Sequence, residues 1–250
     1  MYKVNVVCVK WGTLYSSDYV NKLYSMVKRN LTMEFDFYCI TDDPTGIRSE
    51  VITKPCNVKI LNDIDSSENQ WYKESMFIPG MLPERITLYL DLDVVIVSPL
   101  DPLFPKDKDD QNWYISRDFI KRIVPTYHGA VMVFNPKYWY DFYTFFEKKV
   151  KSGYKLLRGK EQPLIAEYHL IRKQKNLKIY PNSYIWSFKY GHLRDEINGY
   201  NSHIYRGYKP PENGIICSFH GWPNIHQILE LEYIDKISVK WITDNWANDN

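Results

Sequence analysis

Apolar and polar positions along the chain follow two periods, and their succession predicts alternating strands and helices. Residues 2–9 form a run rich in β-branched side chains, which predicts a strand, and Lys10-Trp11-Gly12-Thr13 then predicts a loop. Ser16, Ser17 and Asp18 offer N-cap oxygens. Val20, Leu23, Tyr24 and Val27 follow on one helical face, with Lys22, Lys28 and Arg29 elsewhere. Residues 35–41 predict a second strand, ending in the turn Asp42-Asp43-Pro44-Thr45-Gly46. A βαβ order of this kind makes parallel strands and binds ligands beyond their carboxyl ends.

The pattern resumes with an apolar strand at 86–90 that runs into Asp91-Leu92-Asp93, and 94–97 continues extended. Residues 105–111 hold no apolar side chain and read as a solvated loop. Another strand is expected over 129–134, after which Asn135-Pro136 opens a helix as N-cap and first-turn proline. Tyr138, Trp139, Phe142, Phe145, Phe146 and Val150 repeat at helical spacing, as a core stripe does. A further helix begins near Glu161 and is expected to bury Leu164, Ile165, Tyr168 and Ile171. Residues 175–213, broken by Pro and Gly and rich in Tyr, read as loops around a site, and 215–219 form a last strand ending at His220-Gly221-Trp222-Pro223. With no internal repeat or linker, residues 1–250 are expected to form a single α/β domain.

Composition narrows the function classes. Hydrophobic residues at 44% and charged residues at 25% suit a globular chain and exclude a disordered one. Net charge is +2, so no strong field draws the chain onto nucleic acid or an anionic membrane. Twenty-one tyrosines and eight tryptophans exceed what a core needs. Such rings line sugar or base sites, although a coding bias gives the same excess. The four cysteines show no CxxC pairing and three sit inside apolar runs, which points to a reducing, cytoplasmic compartment. The N-terminal run ends in Lys10 with no small-residue cleavage site, so it reads as a strand and not as a signal peptide. No stretch reaches the roughly 18 apolar residues of a membrane span.

Chemistry concentrates at Asp91 and Asp93. In an extended chain, residues two apart point to the same side, so both carboxylates could converge on one cation. Left alone in an apolar strand they would carry a large desolvation cost. A divalent ion offsets it, and hard oxygen ligands suit Mg²⁺ or Mn²⁺, which also hold a diphosphate. His220 ends its own strand in the same way. As a third ligand its imidazole would favour Mn²⁺.

Six motifs in order, Val7-Cys8-Val9-Lys10-Trp11-Gly12-Thr13, Asp42-Asp43, Trp71-Tyr72-Lys73, Tyr89-Leu90-Asp91-Leu92-Asp93, Glu161-Gln162 and Phe219-His220-Gly221, occur at spacings that resemble bacterial GT-A glycosyltransferases related to family 8. The resemblance spans nearly the whole chain. It implies a single GT-A, Rossmann-like domain with a mixed, mostly parallel central sheet flanked by helices. The nucleotide part would cover about residues 1–100 and the acceptor part about 101–250. It implies transfer of a hexose from a nucleotide-diphosphate sugar, with UDP expected, to a glycan, lipid-linked or protein acceptor, with retention of configuration. Val7, Cys8, Val9, Lys10 and Thr13 would contact the nucleotide, with Asp42 near the base. Lys73 would reach the sugar or phosphates. Asp91 and Asp93, with Leu92 between them, would bind metal, ribose and diphosphate, and His220-Gly221 would complete the coordination. Gln162 would lie beside the reacting sugar carbon.

Departures accompany these matches. The chain has His128-Gly129 where relatives carry Asn-Ser, and Lys160-Glu161-Gln162 where they carry Gly-Asp-Gln. Asn224 follows Pro223 where many relatives have the lysine that faces the diphosphate, so Lys73, Lys189 or Arg194 would have to supply that charge. Three other readings compete. In a haloacid-dehalogenase-like phosphohydrolase Asp91 would be the nucleophile, but its motif lies on the first strand and here 90 residues precede it. A nucleotide-sugar-binding module without turnover draws support from Asn224. A nucleotidyltransferase would need a Gly-rich first loop, which is missing. The Tyr-rich stretch 180–208 is expected to form part of the acceptor surface.

Overall fold

A computed structural model describes residues 2–56, 70–119, 126–152, 161–173, 175–191, 209–232 and 234–249. Ten strands lie in two sheets among these residues. The strands are β1 (Val4–Lys10), β2 (Phe35–Thr41), β3 (Ile52–Pro55), β4 (Thr87–Leu90), β5 (Val94–Ile96), β6 (Trp113–Arg117), β7 (Tyr127–Phe134), β8 (Leu177–Ile179), β9 (Ile185–Ser187) and β10 (Ile216–Ser218). The larger sheet runs β3-β2-β1-β4-β7-β6-β8 and the smaller β5-β10-β9. In the larger sheet β1 pairs in parallel with β2 and β4, as do β2 with β3 and β6 with β8, while β7 is antiparallel to both neighbours. The expected mixed, mostly parallel sheet is therefore present.

Helix α1 (Ser17–Asn30) buries Tyr19, Val20, Leu23, Met26 and Val27 against one face of this sheet, the stripe that its 3.6-residue period foretells. The opposite face is aromatic. Trp113, Phe134, Trp139, Phe142 and Phe146 are fully buried there, under helices α2 (Tyr140–Lys151) and α3 (Glu161–Ile171) and the 3-10 helix Gln70–Phe77. Asn135 opens the turn before α2, its side chain accepting the Lys137 N–H. Short helices α4 (Ile225–Glu230) and α5 (Lys240–Asn245) follow β10.

Three expectations need correction. Ile171 is 63% exposed at the end of α3, because the helix stops there and has no further turn to press it inward. More consequentially, Asp91-Leu92-Asp93 is not an extended segment. β4 belongs to the larger sheet and β5 to the smaller, and the three residues are the turn by which the chain crosses between them. Short strands also occur at 177–179 and 185–187, within the span expected as loops. Residues 192–208, the greater part of the expected acceptor surface, lie outside the described residues. No described helix is long and apolar enough to cross a membrane.

Candidate active site

The carboxyl ends of β1, β2 and β4 lie side by side, and β1 is where the strand order reverses: the chain goes to β2 and β3 on one flank and returns as β4 on the other. Open parallel sheets bind ligands at such a point. Asp91 follows β4 here, and its N–H still donates to Ala130 O at 2.8 Å. Opposite it, the β6–β7 register shifts at Ile115/Ser116, so that Ile115 faces Met132 but Ser116 faces His128. This bulge brings residues 128–130 beside Asp91. Bulges often re-aim side chains in this way beside active sites.

Asp91 is held on one oxygen. Its Oδ1 accepts the Tyr89 hydroxyl at 2.5 Å and lies 3.0 Å from Lys73 Nζ. Lys73 is buried and also donates to Glu161 Oε1 at 2.6 Å and Gly129 O at 3.2 Å. Burial works against the ammonium, but Asp91 and Glu161 outweigh it and raise the Lys73 pKa. Burial raises the Glu161 carboxyl and Lys73 pulls it back. Glu74, with both carboxylate oxygens buried and unpartnered among the described residues, is pushed well above the carboxylate range by burial and then by Glu161.

Asp93 has a different anchor. Its Oδ2 accepts the Tyr15 hydroxyl at 3.2 Å, and its backbone carbonyl accepts the Phe219 N–H at 2.9 Å, which ties the crossing turn to the end of β10. Burial, then the charge of Asp91, pushes the Asp93 carboxyl up to about 7. Two carboxylates whose charges oppose one another are what a divalent cation relieves, so the pair fits one. His220 Nε2 is 2.8 Å from Ser187 Oγ, and burial, then His128 and Lys189, lowers the imidazole to about 3 and keeps it neutral. His128 is likewise lowered to about 4, chiefly by burial. Among the described residues, no group of three or more His, Cys, Asp or Glu side chains is arranged to hold a metal ion, so Asp91, Asp93 and His220 are not brought together as a ready ligand set.

Val7, Cys8 and Leu92 are buried in the core and Lys10 is buried too, so from β1 and its loop it is Val9 and the residues from Trp11 onward that come toward the surface. Lys10 Nζ is 3.4 Å from Asp43 O, and Thr13 is exposed. Asp42 Oδ2 accepts the Gly12 N–H at 3.1 Å, which fixes the loop after β1, where Trp11 stacks on Tyr72 with centroids 5.0 Å apart. Gln162 is half-buried on the first turn of α3, next to Glu161. Gly221 is exposed at φ +70°. Asn224 N-caps α4, its backbone N–H bonding Gln227 Oε1 at 2.8 Å. The cation near this turn is Lys189, whose Nζ donates to His220 O at 2.8 Å. Arg194 lies outside the described residues.

Sequence reasoning did not single out Tyr15, Tyr89 or Ser187 as site residues. Tyr89 was within reach, since it precedes Asp91 by two positions along a strand. Tyr15 and Ser187 lie 78 and 33 residues from the side chains they bond, and no local pattern joins them.

No protein-family model matches the sequence, and no curated protein does either. Solved structures do resemble the fold. An active-site mutant of LgtC aligns with a TM-score of 0.65 at 11% identity over 98% of this chain and 97% of that one. The galactosyltransferase LgtC with donor and acceptor sugar analogs aligns at TM-score 0.62 and 12% identity over 98% and 97%. The glycosyltransferase GlyE of Streptococcus pneumoniae TIGR4 aligns at 0.61 and 14% over 97% of this chain and 60% of its own. Mouse xyloside xylosyltransferase 1 aligns at 0.57 and 12% over 88% and 98%. The sheet order, the crossing turn and these likenesses together show that the chain has the GT-A glycosyltransferase fold.

Proposed function

We propose that this chain is a metal-dependent glycosyltransferase of one domain, moving a hexose from a UDP-sugar to an acceptor with retention of configuration. The observation that carries the reading is the Asp91–Asp93 turn. It stands at the strand-order reversal, with Asp91 Oδ1 fixed by Lys73 and Tyr89 and Asp93 Oδ2 by Tyr15. Each carboxylate thus keeps one oxygen without a hydrogen bond among the described residues. Those oxygens suit Mn²⁺ or Mg²⁺, and His220, whose Nε2 is bonded to Ser187 here, would have to turn from it to join them. A bound cation would supply positive charge to the departing diphosphate without any proton transfer.

The chain's own residues serve the rest of the reaction. Lys73 is committed to Asp91, Glu161 and Gly129, so its charge orders the site from beneath. Lys189, bonded to a neutral carbonyl, is the described cation that supplies charge toward the diphosphate in place of the lysine absent at Asn224. Gln162 lies on the helix turn that carries Glu161, and its amide oxygen can face the electron-poor sugar carbon.

The experiment is Asp93→Ala, assayed with a panel of UDP-sugars and Mn²⁺. Turnover and metal-dependent UDP binding should both be lost. Undiminished activity in EDTA would sink the metal-dependent mechanism. Tight donor binding with neither hydrolysis nor transfer in the unmodified chain would favour a binding module instead.

A further inference from the structure

Gly129 sits where the backbone does not require glycine, for its φ lies outside the left-handed region. Space requires it. A Cβ on residue 129 would stand 2.0 Å from Glu161 Oε1, 3.1 Å from Glu161 Cδ and 3.4 Å from Lys73 Nζ. The Glu161 carboxylate therefore occupies the volume that any other residue at 129 would fill. From there it bonds Lys73 at 2.6 Å, and Lys73 in turn reaches Asp91 Oδ1 at 3.0 Å and Gly129 O at 3.2 Å. Both positions are among those where the chain departs from the pattern it resembles: Gly for Ser at 129 and Glu for Asp at 161. One has lost a side chain and the other has gained a methylene.

We infer that Gly129 and Glu161 form a size-matched pair that sets Lys73 and, through it, the orientation of Asp91, making Glu161 a positioning residue. What Asp91 is oriented for rests on the proposed function; the pairing itself does not. The clash at Gly129→Ala falls on the end of a flexible side chain, so the protein should fold with the Glu161 carboxylate displaced from Lys73. Glu161→Asp withdraws the carboxylate and makes room for the added methyl.

The test is a double-mutant cycle over wild type, Gly129→Ala, Glu161→Asp and the double variant. Each protein is followed by urea unfolding, Mn²⁺ titration in EPR and calorimetric binding of UDP with Mn²⁺. In the wild-type background Gly129→Ala should weaken Mn²⁺ and UDP binding about tenfold, and in the Glu161→Asp background less than about twofold. All four proteins should remain folded in the absence of urea, which separates positioning from loss of structure. Equal costs in both backgrounds would overturn the inference. If the wild type binds neither Mn²⁺ nor UDP, the proposed function falls, and the pair is decided by unfolding alone, where additive effects would overturn it.

Discussion

Under the proposed function, Lys189 would supply from another element the charge that Asn224 does not. The sequence resembles a pattern with a lysine after Pro223, yet Asn224 stands there and caps a helix. The ammonium at this turn comes instead from the segment after β9, held by the His220 carbonyl and close to the position a Cβ on Gly221 would take. Burial lowers the Lys189 pKa, and the charge of Asp93 opposes part of that shift. Replacing Lys189 with Met should raise the donor KM about tenfold, the size of one charge-assisted hydrogen bond, with a smaller change in kcat. Steady-state kinetics over a range of donor concentrations measures this. An unchanged KM would move the diphosphate away from this turn.

At the scale of elements, the sequence was most legible where one period runs long. Residues 35–41 and 17–30 occur as a strand and a helix because a buried stripe must repeat with the backbone. β3, with exposed Ile52, and β8 bury too little to leave a period, and β9, though buried throughout, is only three residues long, so all three went unmarked. The site was legible in its carboxylates and opaque in its anchors. Asp91 and Asp93 stand out because charge interrupts an apolar run. Their geometry did not, since Leu90 and Val94 look continuous in sequence while belonging to different sheets. Tyr15 and Ser187 reach the site only through sheet order, Lys189 was one of three candidate cations that sequence could not choose among, and Gly129 matters only through the volume of Glu161.

On the scale of the whole molecule, the sheet separates an aliphatic layer from an aromatic one, and the aromatic layer contains an acid-sensitive group. His169 is fully buried among Trp113, Trp139 and Tyr168, with both ring nitrogens unpartnered among the described residues. Burial, then Arg172, lowers it to about 4 from its usual 6.5. The unfolded chain therefore binds a proton between those values while the folded chain does not, and stability falls as pH drops through that window. The share of that loss due to His169 should reach about 3 kcal/mol by pH 4, beside the shares of His128 and His220, which are lowered in the same direction. Urea unfolding between pH 4 and 7 reads it, and His169→Phe should flatten the profile by that amount; parallel profiles for the two proteins would refute the assignment. The crossing turn has a mechanical consequence. Asp91 is fastened to the larger sheet through Ala130 and Asp93 to the smaller through Phe219, so whatever grips both carboxylates adds a polar tie between two sheets that already share one hydrophobic core. Amide exchange should then slow in β4 and β10 together when UDP and Mn²⁺ are added, and slowing confined to one of them would mean that the ligand holds a single carboxylate.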